Sequence, residues 1–444
     1  MSADGGEVRS AATRHGPAAA PRQAMAFALT HRLWATLAVV LPMAVFAAAA
    51  GAYSHITPLG QAPDEAAHAA YLGLIAHQLQ LPGPGTPERQ QPPLYYLLGA
   101  GVFKLTGGNL DAVRDLSVAL GALAVLFAVL SARVLWPGRP GWWLLTGLVV
   151  ATLPQFQFIA GSISDDAIAN GTAAFLTYLL VRVLRTPATH RLQLWVGLGL
   201  GLAVVSKETD YALAAIVALA ALVRWWGRTR RLAAVARVAG PALVVAGWWV
   251  GRNVVVFGSP FPHLRPAEVH PGLTTKLHHL SQLPSWLAIS FHSFVGIFGN
   301  LSTPLQIAGD SRSVFHGIEV AAAVLALALL LAAWRSWSGW DGWMRLLALA
   351  LALIPVVAFL QMLANSVLVD YQAQGRYLIV ALPALALGLT FLARRIAQAV
   401  PVALACLAAA VLVAGVATID VAGIQTVAFH LLNTPIVPGH LVIT

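Results

Sequence analysis

From Leu33 to about residue 419 the chain repeats one pattern. Apolar runs of roughly 15–22 residues alternate with short polar turns, and most are long enough to cross a bilayer core of ~30 Å as helices. That pattern leaves few choices of fold. A backbone in lipid must satisfy every N–H and C=O internally, which only helices or a closed barrel can do. The runs are continuously apolar and do not alternate in polarity, so they specify helices and not barrel strands. Composition agrees, since 58% of the 444 residues are hydrophobic and 10% charged, too little polar surface for a soluble domain of this length. The expected fold is an all-α polytopic membrane protein of about 11 transmembrane helices, with juxtamembrane helices on one face and no sizeable soluble domain.

Arginine orients the helices. Residues 1–31 are rich in Ala, Gly and Pro and carry Arg9, Arg14 and Arg22; they are expected to form a disordered cytoplasmic tail. A first span follows at about 33–53. The next apolar run, 91–104, holds about 14 residues between Pro92-Pro93 and Gly107-Gly108, which suits an interfacial or re-entrant helix. If it does not cross, the later spans fall at about 116–135, 142–160, 167–183, 192–206, 211–226, 235–251, 316–334, 343–364, 377–393 and 400–419. The cytoplasmic loops then hold Arg133 and Arg139, Arg182 to Arg191, Arg224 to Arg237, Arg335 and Arg345, and Arg394 with Arg395. Letting 91–104 cross would put all of these outside, against the positive-inside rule. The net charge of +10 is thereby explained by topology, and nucleic acid is not expected as a partner. Residues 32–420 form the expected membrane domain, with outer loops at 54–113 and 252–315, and 421–444 an outer tail.

The same orientation gathers acids outside: Asp64, Glu65, Asp111, Asp115, Asp165, Asp166, Glu208, Asp210, Glu268, Asp310 and Asp370. Asp64-Glu65 follows Pro63 and opens a helical pattern, with His68 one turn on and therefore on the same face. Tyr71, Leu72, Leu74, Ile75 and Leu79 give that helix an apolar side, which reads as an amphipathic helix on the membrane surface. Two readings of the acids stand side by side. Asp64 is a good N-cap that accepts from a backbone N–H, or it is a carboxylate that does chemistry at the membrane face. Asp165 and Asp166, in Gly161-Ser-Ile-Ser-Asp-Asp166, either cap the next helix or join Asp64 to hold a metal ion, a sugar hydroxyl or an acceptor.

Cations on the same face run against the arginine trend: Arg89, Lys104, Lys207, Arg252 and Arg376. Each alone is explained by snorkelling or an ion pair, whereas several beside acids suggest a phosphate-bearing headgroup. His263, His270, His278, His279 and His292 match no metal-site spacing, and the single cysteine, Cys406, rules out an intrachain disulfide. No phosphate-binding Gly-rich loop, zinc-protease helix or Ser-His-Asp grouping is found.

Pro63-Asp-Glu-Ala-Ala-His68, Gln91-Pro-Pro-Leu-Tyr-Tyr96, Gly161 to Asp166, Arg252-Asn253 with Phe257-Gly258, Ser290-Phe291 through Phe298-Gly299, and Gln374-Gly-Arg-Tyr377 occur in that order. In these segments the chain resembles the GT-C membrane glycosyltransferases that use polyprenyl-phosphate-linked sugars, and within them the DUF2142 family of predicted membrane proteins. It departs from the family pattern at Ala66 and at His292-Ser293. The resemblance implies an inverting transferase of the plasma membrane, with its active site outside. It would move a sugar from a polyprenyl-phosphate donor to an extracytoplasmic glycan, lipid or protein acceptor. It implies Asp64, with Glu65 beside it, as base, Asp165 or Asp166 as an assisting acid, and Lys207, Arg252 and Arg376 as phosphate ligands. The motif tyrosines Tyr95 and Tyr377, with His68 and Arg89, complete the candidate substrate contacts. No cofactor is required by these residues, although paired acids are also compatible with a divalent cation. A lipid or sugar translocator and a non-catalytic assembly partner are the alternatives. The spans are clean and the polar groups gather at one face, which favours the enzyme.

Overall fold

Prolines and polar turns punctuate the apolar runs, and the helices begin at them. A computed structural model describes residues 19–86, 88–225, 231–262, 277, 279–369, 371–400 and 402–430. Its helices are α1 (Ala19–Ile56), α2 (Glu65–Gln78), α3 (Leu94–Leu105), α4 (Leu110–Leu135), α5 (Pro140–Ala151), α6 (Pro154–Ala160), α7 (Asp166–Arg185) and α8 (His190–Ser206). They are followed by α9 (Tyr211–Trp225), α10 (Arg231–Phe257), α11 (Leu283–Gly296), α12 (Arg312–Ser336), α13 (Gly342–Leu368), α14 (Leu382–Ala399) and α15 (Val402–His430). Three starts show the expected caps: Asn109 accepts from Asp111 N at 2.8 Å, Thr189 from Leu192 N at 3.1 Å and Asp341 from Met344 N at 2.7 Å. A small hairpin pairs Ile297–Phe298 (β1) with Thr303–Pro304 (β2), antiparallel, with Ile297 opposite Pro304.

The chain is a polytopic helical membrane protein. Among the described residues seven helical segments are long and apolar enough to cross a membrane, and an eighth is the bent pair α5 and α6. The expected single span 142–160 is broken there by 67°, because Pro154 has no N–H to carry the ladder and Thr152-Leu153 leave it. The run at 91–104 is a 12-residue helix, about 18 Å long at 1.5 Å per residue and too short to cross. At the termini the helices outrun the expectation. Of the tail expected at 1–31, residues from Ala19 onward are helical, and the last helix continues past residue 420 to His430. Residues 1–18, 431–444 and 263–276, with His263 and His270, lie outside the described residues, as does His278.

α7 is the axis of the bundle. It is buried along nearly its whole length and packs on α4, α8, α9 and α13. α12 is its opposite, with only Phe315 and Ser336 buried and Val324, Leu327, Leu330 and Leu331 exposed, as a lipid-facing helix requires. The two ends of α7 differ in charge. Asp166 opens it, and Arg182 and Arg185 close it about 30 Å away. At the closing end Arg185 pairs with Asp341 at 3.0 Å, and Arg224 lies 4.4 Å from the Trp343 ring centroid. The opening end carries the candidate site.

Candidate functional site

Four segments meet at the Asp166 end of α7: the start of α2, the 161–166 turn, the 207–210 turn after α8, and the 3-10 helix Gly375–Ala381 before α14. α2 and α3 are joined there by a shared core of Tyr71, Leu72, Ile75, Tyr95, Tyr96, Phe103 and Ile163. Glu65, His68, Tyr71, Leu72, Ile75 and Ala76 lie along one side of α2 and are all buried, whereas Ala70, His77 and Gln78 are exposed. The apolar side of α2 is thus covered by α3, and Gln78 and Gln80 are exposed.

Asp64 precedes α2, but it does not cap it. Its backbone is left-handed, φ 59° and ψ 6°, and its side chain makes no cap hydrogen bond. Non-glycine residues adopt this conformation rarely, with aspartate among the few that tolerate it, and such strain gathers at functional sites. The carboxylate instead accepts from Arg376 Nη2, 312 residues away in sequence. Arg376 is 3% exposed and the Asp64 side chain 50% exposed, so a buried guanidinium presents a solvent-facing acid. Burial would raise the Asp64 pKa, but Arg376, His68 and Lys207 outweigh it and hold the carboxyl at about 2.

Behind this pair lies a second. Lys207 Nζ donates to Asp165 Oδ1 at 2.6 Å and Asp166 Oδ1 at 2.7 Å. Burial favours loss of the lysine proton, yet the two carboxylates prevail and push its pKa up. Arg376 Nη1 approaches Asp166 Oδ2 at 3.6 Å, so its guanidinium links Asp64 to the second pair. Tyr377 lies against both cations, its ring centroid 5.0 Å from the Arg376 guanidinium carbon and 5.7 Å from Lys207 Nζ. Its hydroxyl accepts from Arg376 Nη2 at 3.1 Å. His68 Nδ1 is 2.8 Å from the Tyr96 hydroxyl, which donates to Asp165 Oδ2 at 3.4 Å. The buried polar atoms without a hydrogen-bond partner include the Arg376 Nε–H and both oxygens of the Asp210 carboxylate, whose pKa burial pushes well up.

Gly375 explains the Gln-Gly-Arg-Tyr motif. A Cβ there would lie 2.1 Å from Phe294 N and 2.4 Å from Ser290 O, inside the backbone of α11. Gly375→Ala is therefore expected to push the 3-10 helix and Arg376 off α11, lowering thermal stability by at least ~1–3 kcal/mol as overpacking does. Thermal unfolding in detergent, compared with a buried substitution elsewhere, checks this.

The family model for the predicted membrane proteins DUF2142 matches residues 91–389, more than half of the chain. The chain belongs to the DUF2142 family. Comparison with curated proteins returns no match. Among solved structures, this DUF2142 protein is similar to ArnT from Cupriavidus metallidurans bound to undecaprenyl phosphate. The TM-score is 0.56 at 15% identity, over 90% of this chain and 76% of that one. It is also similar to the Archaeoglobus fulgidus oligosaccharyltransferase in complex with zinc and sulfate, with a TM-score of 0.48 at 13% identity, over 86% of this chain and 53% of that one. With ArnT the chain shares its helical membrane fold.

The candidate residues of this DUF2142 protein divide. Asp64, His68, Asp165, Asp166, Lys207, Arg376 and Tyr377 converge. Glu65 does not join them. It is 2% exposed and turned back to Arg114, which holds Oε1 and Oε2 at 2.8 Å each, and it accepts from Gly60 N and Ile163 N at 2.8 and 3.0 Å. Those bonds fill its oxygens and fit a structural role. Tyr95 is also one layer back, its hydroxyl 2.7 Å from Ser117 Oγ and accepting from Ser164 N at 3.1 Å. Arg252 faces the loop after α2, donating to Pro82 O, with the Trp249 and Phe257 rings 5.1 and 5.0 Å away. Arg89 lies half-buried in that loop. Arg114 and Tyr96 are the partners the sequence reading overlooked. A lone arginine at the start of the apolar run Leu110–Leu135 was the available signal, since such a charge requires a partner.

Proposed function

We propose that this protein is an inverting glycosyltransferase that moves a sugar from a polyprenyl-phosphate donor to an acceptor outside the cytoplasm. The observation that carries the reading is the pairing of the half-exposed Asp64 with the buried Arg376 at one end of the bundle. The undecaprenyl phosphate bound by ArnT, which shares the fold, supports the donor class. The arginines at the other end of α7 support an outward-facing site.

In this reaction the acceptor hydroxyl oxygen attacks C1 of the sugar as the C1–O bond to phosphate breaks. The bonding pair leaves with polyprenyl phosphate, and the hydroxyl proton goes to a base. Asp64 is that base. Its low pKa makes it a weak one while Arg376 holds it. A donor phosphate beside Arg376 would compete for the guanidinium, whose Nε–H is unused, and so raise the Asp64 pKa when substrate is present. Lys207 and Arg376 would stabilise the charge that develops on the leaving phosphate. Asp165 and Asp166 orient Lys207 and are not free to act as bases in this arrangement.

Mass spectrometry of lipid co-purifying with the protein, then assay with labelled polyprenyl-phosphate sugars, tests the proposal. A translocator would move the donor between leaflets without consuming it. Arg376→Gln is expected to raise the donor KM roughly 10- to 100-fold, the scale of one or two hydrogen bonds to a charged group. It should also move the acid limb of the pH profile of kcat/KM upward, because removing the cation relieves what keeps Asp64 ionised to about pH 2. Unchanged donor kinetics and an unchanged acid limb would reject the role of Arg376.

A further inference from the structure

Several carboxylates converging where phosphate is handled are ordinarily ligands of a divalent cation, which needs oxygens at about 2.0–2.6 Å. Here that position is already filled. Lys207 Nζ stands between Asp165 Oδ1 and Asp166 Oδ1, at 2.6 and 2.7 Å, and Arg376 joins Asp64 to Asp166. Each of the three acids is opposed by a cation of the chain itself. Among the described residues no three His, Cys, Asp or Glu side chains are grouped so as to hold a metal. Nor is Lys207 free to swing aside. It is 6% exposed, held on extended backbone between α8 and the 208–210 turn, and flanked by the Tyr377 ring. Withdrawing it would leave the buried Asp165 carboxylate without a cation and Asp166 with Arg376 alone, at 3.6 Å.

We propose that Lys207 takes the place of a divalent metal ion, so that the acid cluster excludes divalent cations and the transfer runs without one. Exclusion of the metal stands on geometry alone. Metal-independent transfer rests on the glycosyltransferase reading. The chemistry permits it, because polyprenyl phosphate is a good leaving group and an ammonium with a guanidinium can offset its developing charge.

The test uses the full-length protein in detergent, stripped with EDTA and titrated with Mn²⁺ by electron paramagnetic resonance. Wild type is expected to show no stoichiometric site up to about 1 mM, the weak end of biological divalent sites. Lys207→Ala is expected to gain one, which Asp165→Asn then removes; Lys207→Met serves the same purpose if the alanine variant does not fold. One equivalent of Mn²⁺ bound by wild type, and lost in Asp165→Asn or Asp166→Asn, overturns the proposal without recourse to the Lys207 variants. In the second arm, turnover of a labelled polyprenyl-phosphate sugar is expected to change less than about twofold with EDTA. Turnover lost to EDTA and restored by Mn²⁺ overturns it as well. No turnover under any condition, with Mn²⁺ still excluded, would remove the glycosyltransferase reading and leave the exclusion standing.

Discussion

Asp64→Asn is expected to reduce sugar transfer by a factor on the order of 10²–10⁴, the usual contribution of a positioned general base. The substitution isolates chemistry from folding. Asparagine tolerates the left-handed backbone that Asp64 adopts, and at 50% exposure its amide is not left dry. The bond it loses is the charged part of the contact with Arg376, whose guanidinium keeps Tyr377 and Asp166 as neighbours. Yield, membrane insertion and melting temperature should therefore stay near wild type while turnover collapses. Measuring all four on one preparation separates the outcomes, and full turnover in this variant would remove the base from the proposed mechanism.

Arg114→Leu is expected to do the reverse, destabilising the protein by about 3–5 kcal/mol, because it strands a buried carboxylate. Both partners are 2% exposed, and Arg114 also donates to Ser54 O at 2.7 Å and Thr57 O at 2.8 Å. One guanidinium thus ties the end of α1 and the turn before α2 to the start of α4. The Arg114→Leu, Glu65→Gln double variant should recover part of the loss, since the stranded charge is then absent. Denaturant or thermal unfolding of the two singles and the double closes the cycle. A Glu65→Gln variant that melts like wild type yet has no turnover would contradict the structural role given to Glu65 and return it to the chemistry.

Much of the architecture was legible because lipid makes so few demands. Apolar length and arginine position suffice to predict a helical membrane fold, and motifs such as Asp64-Glu65 and Gly375-Arg376 mark where polarity is concentrated. What escaped were distances through space. Asp64 and Glu65 are neighbours in sequence with the same charge, and nothing local says that one meets Arg376, 312 residues on, and the other Arg114, 49 residues on. The bend before Pro154 was readable in principle, but an unbroken hydropathy profile hid it. The apolar side of α2 was legible, but not what covers it, because the aromatic surface that does so, Tyr95 and Tyr96, belongs to α3.

The left-handed turn at Asp64 also restricts which acid can stand there. At φ 59° a β-branched side chain is disfavoured, and aspartate and asparagine are among the residues best suited to the bend. Glutamate can take such a backbone, as Glu88 does at φ 56°, but its extra methylene would displace the carboxylate from its place on the guanidinium. The bend and the reach to the guanidinium together favour the shorter of the two acidic amino acids.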